Sequence, residues 1–165
     1  MIDAIKHFFV NIVGVRGGVF FCAMIPIIEL RGSVILGAAL SLPWWQNYLL
    51  SVIGNLLPIV FVLLLLNWFL EKMKKIKGLS KIALWLENKA EKNKPKIEKY
   101  GFWGLTLFVM IPLPGTGAWT GALVACIMKM RFWKAFLAIV IGVLCAGVIM
   151  TLASYGVLSF LSFLL

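Results

Sequence analysis

Two apolar segments of this chain are broken in the middle by proline, at positions that correspond. Ala23-Met24-Ile25-Pro26 returns as Val109-Met110-Ile111-Pro112. Upstream, Gly18 stands eight residues before Pro26 and Gly104 eight before Pro112. Downstream, Gly37-Ala38-Ala39-Leu40 answers Gly121-Ala122-Leu123-Val124, and Trp44-Trp45 with Gly54 answers Phe132-Trp133 with Gly142. Proline inside a helix removes a backbone hydrogen bond and clashes with the preceding turn. Each segment therefore divides into two arms of about half the ~20 residues that a membrane crossing needs. An internal repeat of apolar segments broken by Gly and Pro is the pattern of transporters built from two related halves.

Composition names the solvent. The chain is 62% hydrophobic and 13% charged, where a soluble domain has roughly 45–50% apolar and about 25% charged residues. Ten of the 16 Lys and Arg lie within residues 72–99, alongside Glu71, Glu87, Glu91 and Glu98. The net charge of +10 thus belongs mainly to one segment and fits an anionic leaflet surface. No aromatic-interleaved basic motif supports a nucleic-acid partner. Cys22, Cys126 and Cys145 lack CxxC spacing and His7 is the single histidine, so no disulfide framework, metal site or cofactor is expected. The N-terminal apolar run is interrupted by Arg16 and flows into more hydrophobic sequence, unlike a cleavable signal.

Read along the chain, the pattern is all-α, because no alternating strand pattern with turn signals occurs. Residues 2–15 read as an amphipathic surface helix. Residues 18–40 read as a re-entrant helical hairpin, broken by Pro26, Glu29, Arg31 and Gly32, and residues 45–70 as a transmembrane helix carrying Gly54, Asn55 and Pro58. Trp44, Trp45 and Trp68 are placed to anchor that helix at the interfaces. A basic linker over 71–99 carries a second surface helix with Leu79, Ile82, Leu84, Trp85 and Leu86 on its apolar stripe. Residues 103–125 repeat the hairpin, broken by Pro112, Pro114, Gly115, Thr116 and Gly117, and residues 133–153 repeat the spanning helix. The expectation is a single membrane domain over 1–165 with repeats at about 18–70 and 100–155. The placement of residues 1–16 and 156–165 stays open.

Loop charges orient the two repeats. The basic linker is expected on the cytoplasmic side of a bacterial-type cytoplasmic membrane. The loop after the second hairpin carries Lys129, Arg131 and Lys134 and belongs on the same side. The loop after the first hairpin, Ser41 to Asn47, is uncharged and can face outward. Hairpins entering from opposite faces make an inverted repeat, with their tips expected near the midplane.

The tips are where chemistry is expected. Irregular backbone at membrane depth persists only inside protein or beside a water-filled cavity. An ionisable residue there costs several kcal/mol and points to function, which singles out Glu29 with Arg31 beside it in the first hairpin. Glu29 is the candidate proton or headgroup site; neutralisation of Glu29 by Arg31 as a simple lock is the competing reading. The second tip has no acid or base, but Pro112, Pro114, Gly115, Thr116 and Gly117 offer unwound carbonyls, amides and a hydroxyl. A plain capped turn accounts for them equally well. Asn55 and Asn67 fit helix–helix hydrogen bonds better than ligand contacts.

Pro26-Ile27-Ile28-Glu29 followed by Val34-Ile35-Leu36-Gly37, and Phe108 to Pro112 followed by Ala122 to Ala125 and Met130 to Phe136, resemble the two hairpin signatures of the DedA superfamily. The length and Glu29-Leu30-Arg31-Gly32-Ser33 are most similar to its branch labelled small multidrug export proteins. The resemblance covers about residues 18–150. It implies two facing re-entrant hairpins and a transport role, for some relatives proton-linked movement of a polyprenyl-phosphate or phospholipid. Glu29 matches the acidic position of the first hairpin. The arginines that flank the second proline in DedA-type hairpins are absent, where Val109 and Gly115-Thr116 stand.

The chain is therefore expected to be a small transporter or lipid flippase for an amphipathic substrate, working with protons at Glu29, as a monomer or a homo-oligomer. A membrane enzyme is disfavoured, because no nucleophile–base pair, metal cluster or acid pair occurs at the tips. The alternative is a non-transporting membrane scaffold or assembly factor.

Overall fold

The computed structural model describes residues 2–75, 101–113, 116–128 and 130–164. Among them the chain is entirely helical: α1 (Ile2–Met24), α2 (Glu29–Ala39), α3 (Trp44–Lys75), α4 (Gly101–Met110), α5 (Ala118–Ile127) and α6 (Phe132–Leu164). The chain divides into two compact units, Met1–Pro58 with Val143–Leu165, and Ile59–Gly142. The long helices α3 and α6 contribute to both.

The helix expected over 2–15 is set off from the first hairpin arm by a break at Gly14, where φ is +72° and the backbone leaves the helical region. A Cβ at Gly14 would meet nothing within 4 Å, so the left-handed backbone, and not crowding, is what requires glycine there. Gly101 opens α4 in the same way, with φ +46° and open space around its absent Cβ. Both hairpins are thus entered through a left-handed glycine, a correspondence that the aligned Gly18 and Gly104 did not reveal.

In the first unit α2 ends in a Schellman-type cap. Ser41 takes the left-handed conformation at φ +58°, its N–H donates to Ala38 O, and the Leu42 N–H donates to Gly37 O. The chain restarts at once: Pro43 O accepts the first helical bond of α3 from Asn47 N at 3.0 Å. The outward-facing loop expected over 41–47 is therefore only a corner, and its last four residues form the first turn of α3.

The segments most apolar and long enough to cross a membrane are Trp44–Leu65 and Phe132–Gly156, of 22 and 25 residues. At 1.5 Å per residue they reach ~33 and ~38 Å, against ~30 Å of hydrocarbon. The second expected span, 133–153, is thus extended at both ends, the first, 45–70, is matched over 45–65, and residues 156–164 are the end of α6. Leu49, Ile53, Leu57, Phe61 and Leu65 are exposed along α3 at four-residue spacing. An apolar stripe of that length, facing out, suits lipid. The surface helix expected within the linker, and Asn67 and Trp68 as side chains, lie outside the described residues.

Each unit is closed by the same kind of contact. A Cβ on Gly54 of α3 would press into the Phe20 carbonyl and the Ala23 side chain of α1. A Cβ on Gly142 of α6 would come within 2.7 Å of Val109 Cβ and 2.9 Å of the Thr106 carbonyl of α4. Phe20 and Ala23 correspond to Thr106 and Val109 in the sequence repeat, so the repeat extends to the contact itself. Glycine lets the long helix approach the backbone of the short one, the packing on which helix association in lipid depends.

Gly142→Leu should lower the unfolding free energy by about 1–3 kcal/mol through overpacking, seen as a lower melting temperature in detergent. Gly156→Ala, which meets nothing within 4 Å, should leave it unchanged.

Candidate functional site

The first hairpin turns within residues 25–28. Ile28 N and Glu29 N both donate to the Ile25 carbonyl, at 3.1 and 2.8 Å, and Ile25 N donates to Cys22 O at 3.2 Å. Pro26 and Ile27 are exposed at this tip. Glu29 then opens α2 with φ +51°, a left-handed conformation in a residue with a side chain. Such backbone costs roughly 1–3 kcal/mol and recurs where geometry serves a function. The Glu29 side chain is 9% exposed. Arg31, two residues on, is half-buried and interacts electrostatically with Glu29. Gly32 lies against Ile28: its N–H donates to the Ile28 carbonyl at 2.9 Å, and a Cβ would run into the Ile28 side chain. The structure thus gathers Pro26, Glu29, Arg31 and Gly32 in one turn of the first unit.

The second tip is organised differently. Pro112 and Leu113 are exposed, and Thr116 is half-buried. The Thr116 Oγ1 lies 2.7 Å from the Ile111 carbonyl and 2.8 Å from that of Leu113. Its single proton is shared inside the turn, so the hydroxyl expected as a donor for a bound molecule already closes the backbone. Gly117 has φ +148°, open to glycine alone, and its carbonyl accepts from Gly121 N and from the Thr120 hydroxyl. Pro114 and Gly115 lie outside the described residues. No group of three His, Cys, Asp or Glu side chains that could hold a metal ion occurs among the described residues.

The polar centre that sequence reasoning missed is Asn47. It is 0% exposed, although it was expected in an outward loop. Its Nδ2 donates to the Val34 carbonyl at 2.7 Å and lies 3.1 Å from the Tyr155 hydroxyl, while its Oδ1 accepts from Ser51 Oγ. The Tyr155 hydroxyl donates to the Leu42 carbonyl. One amide therefore links α2, α3 and α6 within the first unit. Asn47, Ser51 and Asn55 are spaced by four residues, which places all three on one face, and all three are buried. That spacing was the available signal. The Asn55 Oδ1 has no hydrogen-bond partner among the described residues.

A family model described as "Putative small multi-drug export protein" matches residues 29–149. The chain belongs to that family. The match opens at Glu29 and runs through α2, both hairpin tips' second arms and most of the membrane-length part of α6. No curated protein and no solved structure matches the chain. Membership and the two membrane-length helices make this small multidrug export family protein an integral membrane protein. The family description names an export function, which is consistent with a membrane transporter.

Two stability measurements check the site's geometry. Glu29→Gly should be more stable than Glu29→Ala by about 1 kcal/mol, because glycine relieves the left-handed backbone. Asn47→Leu should lose about 1–2 kcal/mol, since it removes the link among three helices, with Tyr155→Phe losing less; thermal melts in detergent read all four.

Proposed function

We propose that this protein is a small transporter that moves an amphipathic substrate across the bilayer, with Glu29 as the group whose protonation gates movement. The observation that carries this reading is a carboxyl buried at a hairpin tip on left-handed backbone. Burial of an ionisable group in an integral membrane protein is sustained where it serves a pathway or a proton step. The backbone distortion at the same residue adds to that expense, and a purely structural lock needs neither. Arg31 supplies the neighbouring counter-charge, so that the site tolerates either protonation state of Glu29.

The short helices support a re-entrant reading. α2 has 11 residues and α4 and α5 have 10 each, which is ~15 Å at 1.5 Å per residue, about half of the hydrocarbon thickness. The difference in charge between the loops that follow the two hairpins supports opposite entry faces, with the basic linker over 71–99 cytoplasmic. The wider DedA resemblance supports lipid flipping, of a phospholipid or a polyprenyl-phosphate. The lack of arginine around Pro112 favours a smaller amphipathic substrate over a phosphate-headed one. A homo-oligomer would help to enclose the pathway.

The test is transbilayer movement of fluorescent phospholipid, polyprenyl-phosphate and small amphipathic dyes in proteoliposomes, with and without a pH gradient. Wild type should move at least one of them and Glu29→Gln should lose at least about tenfold in rate while still reconstituting folded, the scale of lost acid–base function. A Glu29→Gln protein that transports at the wild-type rate removes Glu29 from the mechanism, and movement of none of the probes favours the scaffold.

A further inference from the structure

Asn55 is 1% exposed, and its amide oxygen has no hydrogen-bond partner among the described residues. An unmet buried amide costs about 1–3 kcal/mol and calls for a cause. Its position in the first unit supplies one. Asn47 lies opposite Val34, whose carbonyl it binds, and opposite Gly37, whose absent Cβ it fills. Asn47 meets α2 at Val34 and Gly37, and further along the helix Gly54 meets α1 at Phe20 and Ala23, so this part of α3 runs from the end of α2 back toward the first hairpin tip. Eight residues beyond Asn47, that direction carries Asn55 toward the turn that precedes Glu29. At about 100° per residue Asn55 lies about 80° round α3 from Asn47, within one broad buried face that includes Ser51.

We propose that Asn55 and Glu29 form one headgroup subsite in the first unit, and that the head it takes is a protonated alkylamine. The proposal rests on the transporter reading of Glu29 and names its substrate class. A carboxylate and an amide oxygen both accept hydrogen bonds, and an alkylammonium offers three donors and no acceptor. Thr151 lies on α6 in the same unit, buried, and its hydroxyl oxygen is likewise without a partner among the described residues. A phosphodiester head has only acceptors; it would leave the Asn55 oxygen unmet and bring a second negative charge toward Glu29. Arg31 is the resident cation beside Glu29. Being half-buried, it can turn toward the exposed side as the ammonium takes its place, which keeps the net charge of the subsite unchanged.

The experiment is binding of a dansyl-alkylammonium and of its N-trimethylated counterpart to the full chain in nanodiscs, corrected for protein-free discs. The two probes share their charge and differ in donors. Wild type should bind the primary ammonium about tenfold more tightly, the scale of one hydrogen bond to a charged group. Asn55→Leu should bind both alike, and Asn55→Gln should keep part of the preference. Equal binding of the two probes by wild type, binding of neither, or a preference that survives in Asn55→Leu overturns the proposal. So does wild type that binds a fluorescent phosphatidylglycerol and neither cation. Should Asn55→Leu not fold, the wild-type comparison decides alone. Loss of transport in Glu29→Gln without any amine preference removes only this proposal, whereas unchanged transport in Glu29→Gln removes the transporter reading with it.

Discussion

Backbone hydrogen bonding in lipid is the constraint on which this structure depends. A helix that stops halfway through the hydrocarbon leaves amide and carbonyl groups that no water can reach, at several kcal/mol each. The chain has two helix interruptions, between Met24 and Glu29 and between Met110 and Ala118. Both are closed locally: at the first the Ile25 carbonyl accepts two amides, and at the second the Thr116 hydroxyl closes on the turn's carbonyls. Each broken pair is then covered by a continuous helix that approaches through a glycine, Gly54 in one unit and Gly142 in the other. A side chain at either glycine would hold the long helix off the very backbone it shields.

Within that common plan the two units carry different chemistry. The first concentrates polar groups. Glu29 is buried on left-handed backbone, Asn47 links three helices, and Asn55 holds an unmet acceptor. At the places that correspond to Asn47, Ser51 and Asn55, the second repeat has Ala135, Ile139 and Val143. The buried polar face of α3 therefore has no counterpart at these places of the sequence repeat. The two hairpins thus differ: the first buries Glu29, while the second has a capped turn with no ionisable group among its described residues.

Much of the fold was legible because its signals are local. Pro26 and Pro112 stand at breaks in apolar runs, although Pro58 lies inside the continuous α3, and the two long segments of high mean hydropathy read as membrane-length helices. Glu29 stood out for the same reason, as an acid in such a run. Other features were not legible. The break at Gly14 looks like any glycine until its φ is known, since nothing crowds it. Asn47 follows a proline and two tryptophans in what reads as a loop, and only the cap at Ser41 starts α3 early enough to bury it. For Thr116 a ligand contact and a plain capped turn were equally open, because whether a hydroxyl points inward or outward depends on torsions that sequence does not specify.

The sequence by itself determined the solvent, the helical class, the two interruptions, the pair of long helices and the residue at which a charge would have to be buried. Each follows from composition or from the steric properties of proline and glycine, which act within a few residues. Tertiary structure decided which groups meet. Residues 47 and 155 are joined by one hydrogen bond across 108 positions, and Gly54 is brought against Phe20 and Ala23. Those outcomes depend on how one helix slides and turns against another, a choice made by close packing at glycines and by the need to satisfy every buried polar atom. No local property of the chain encodes it.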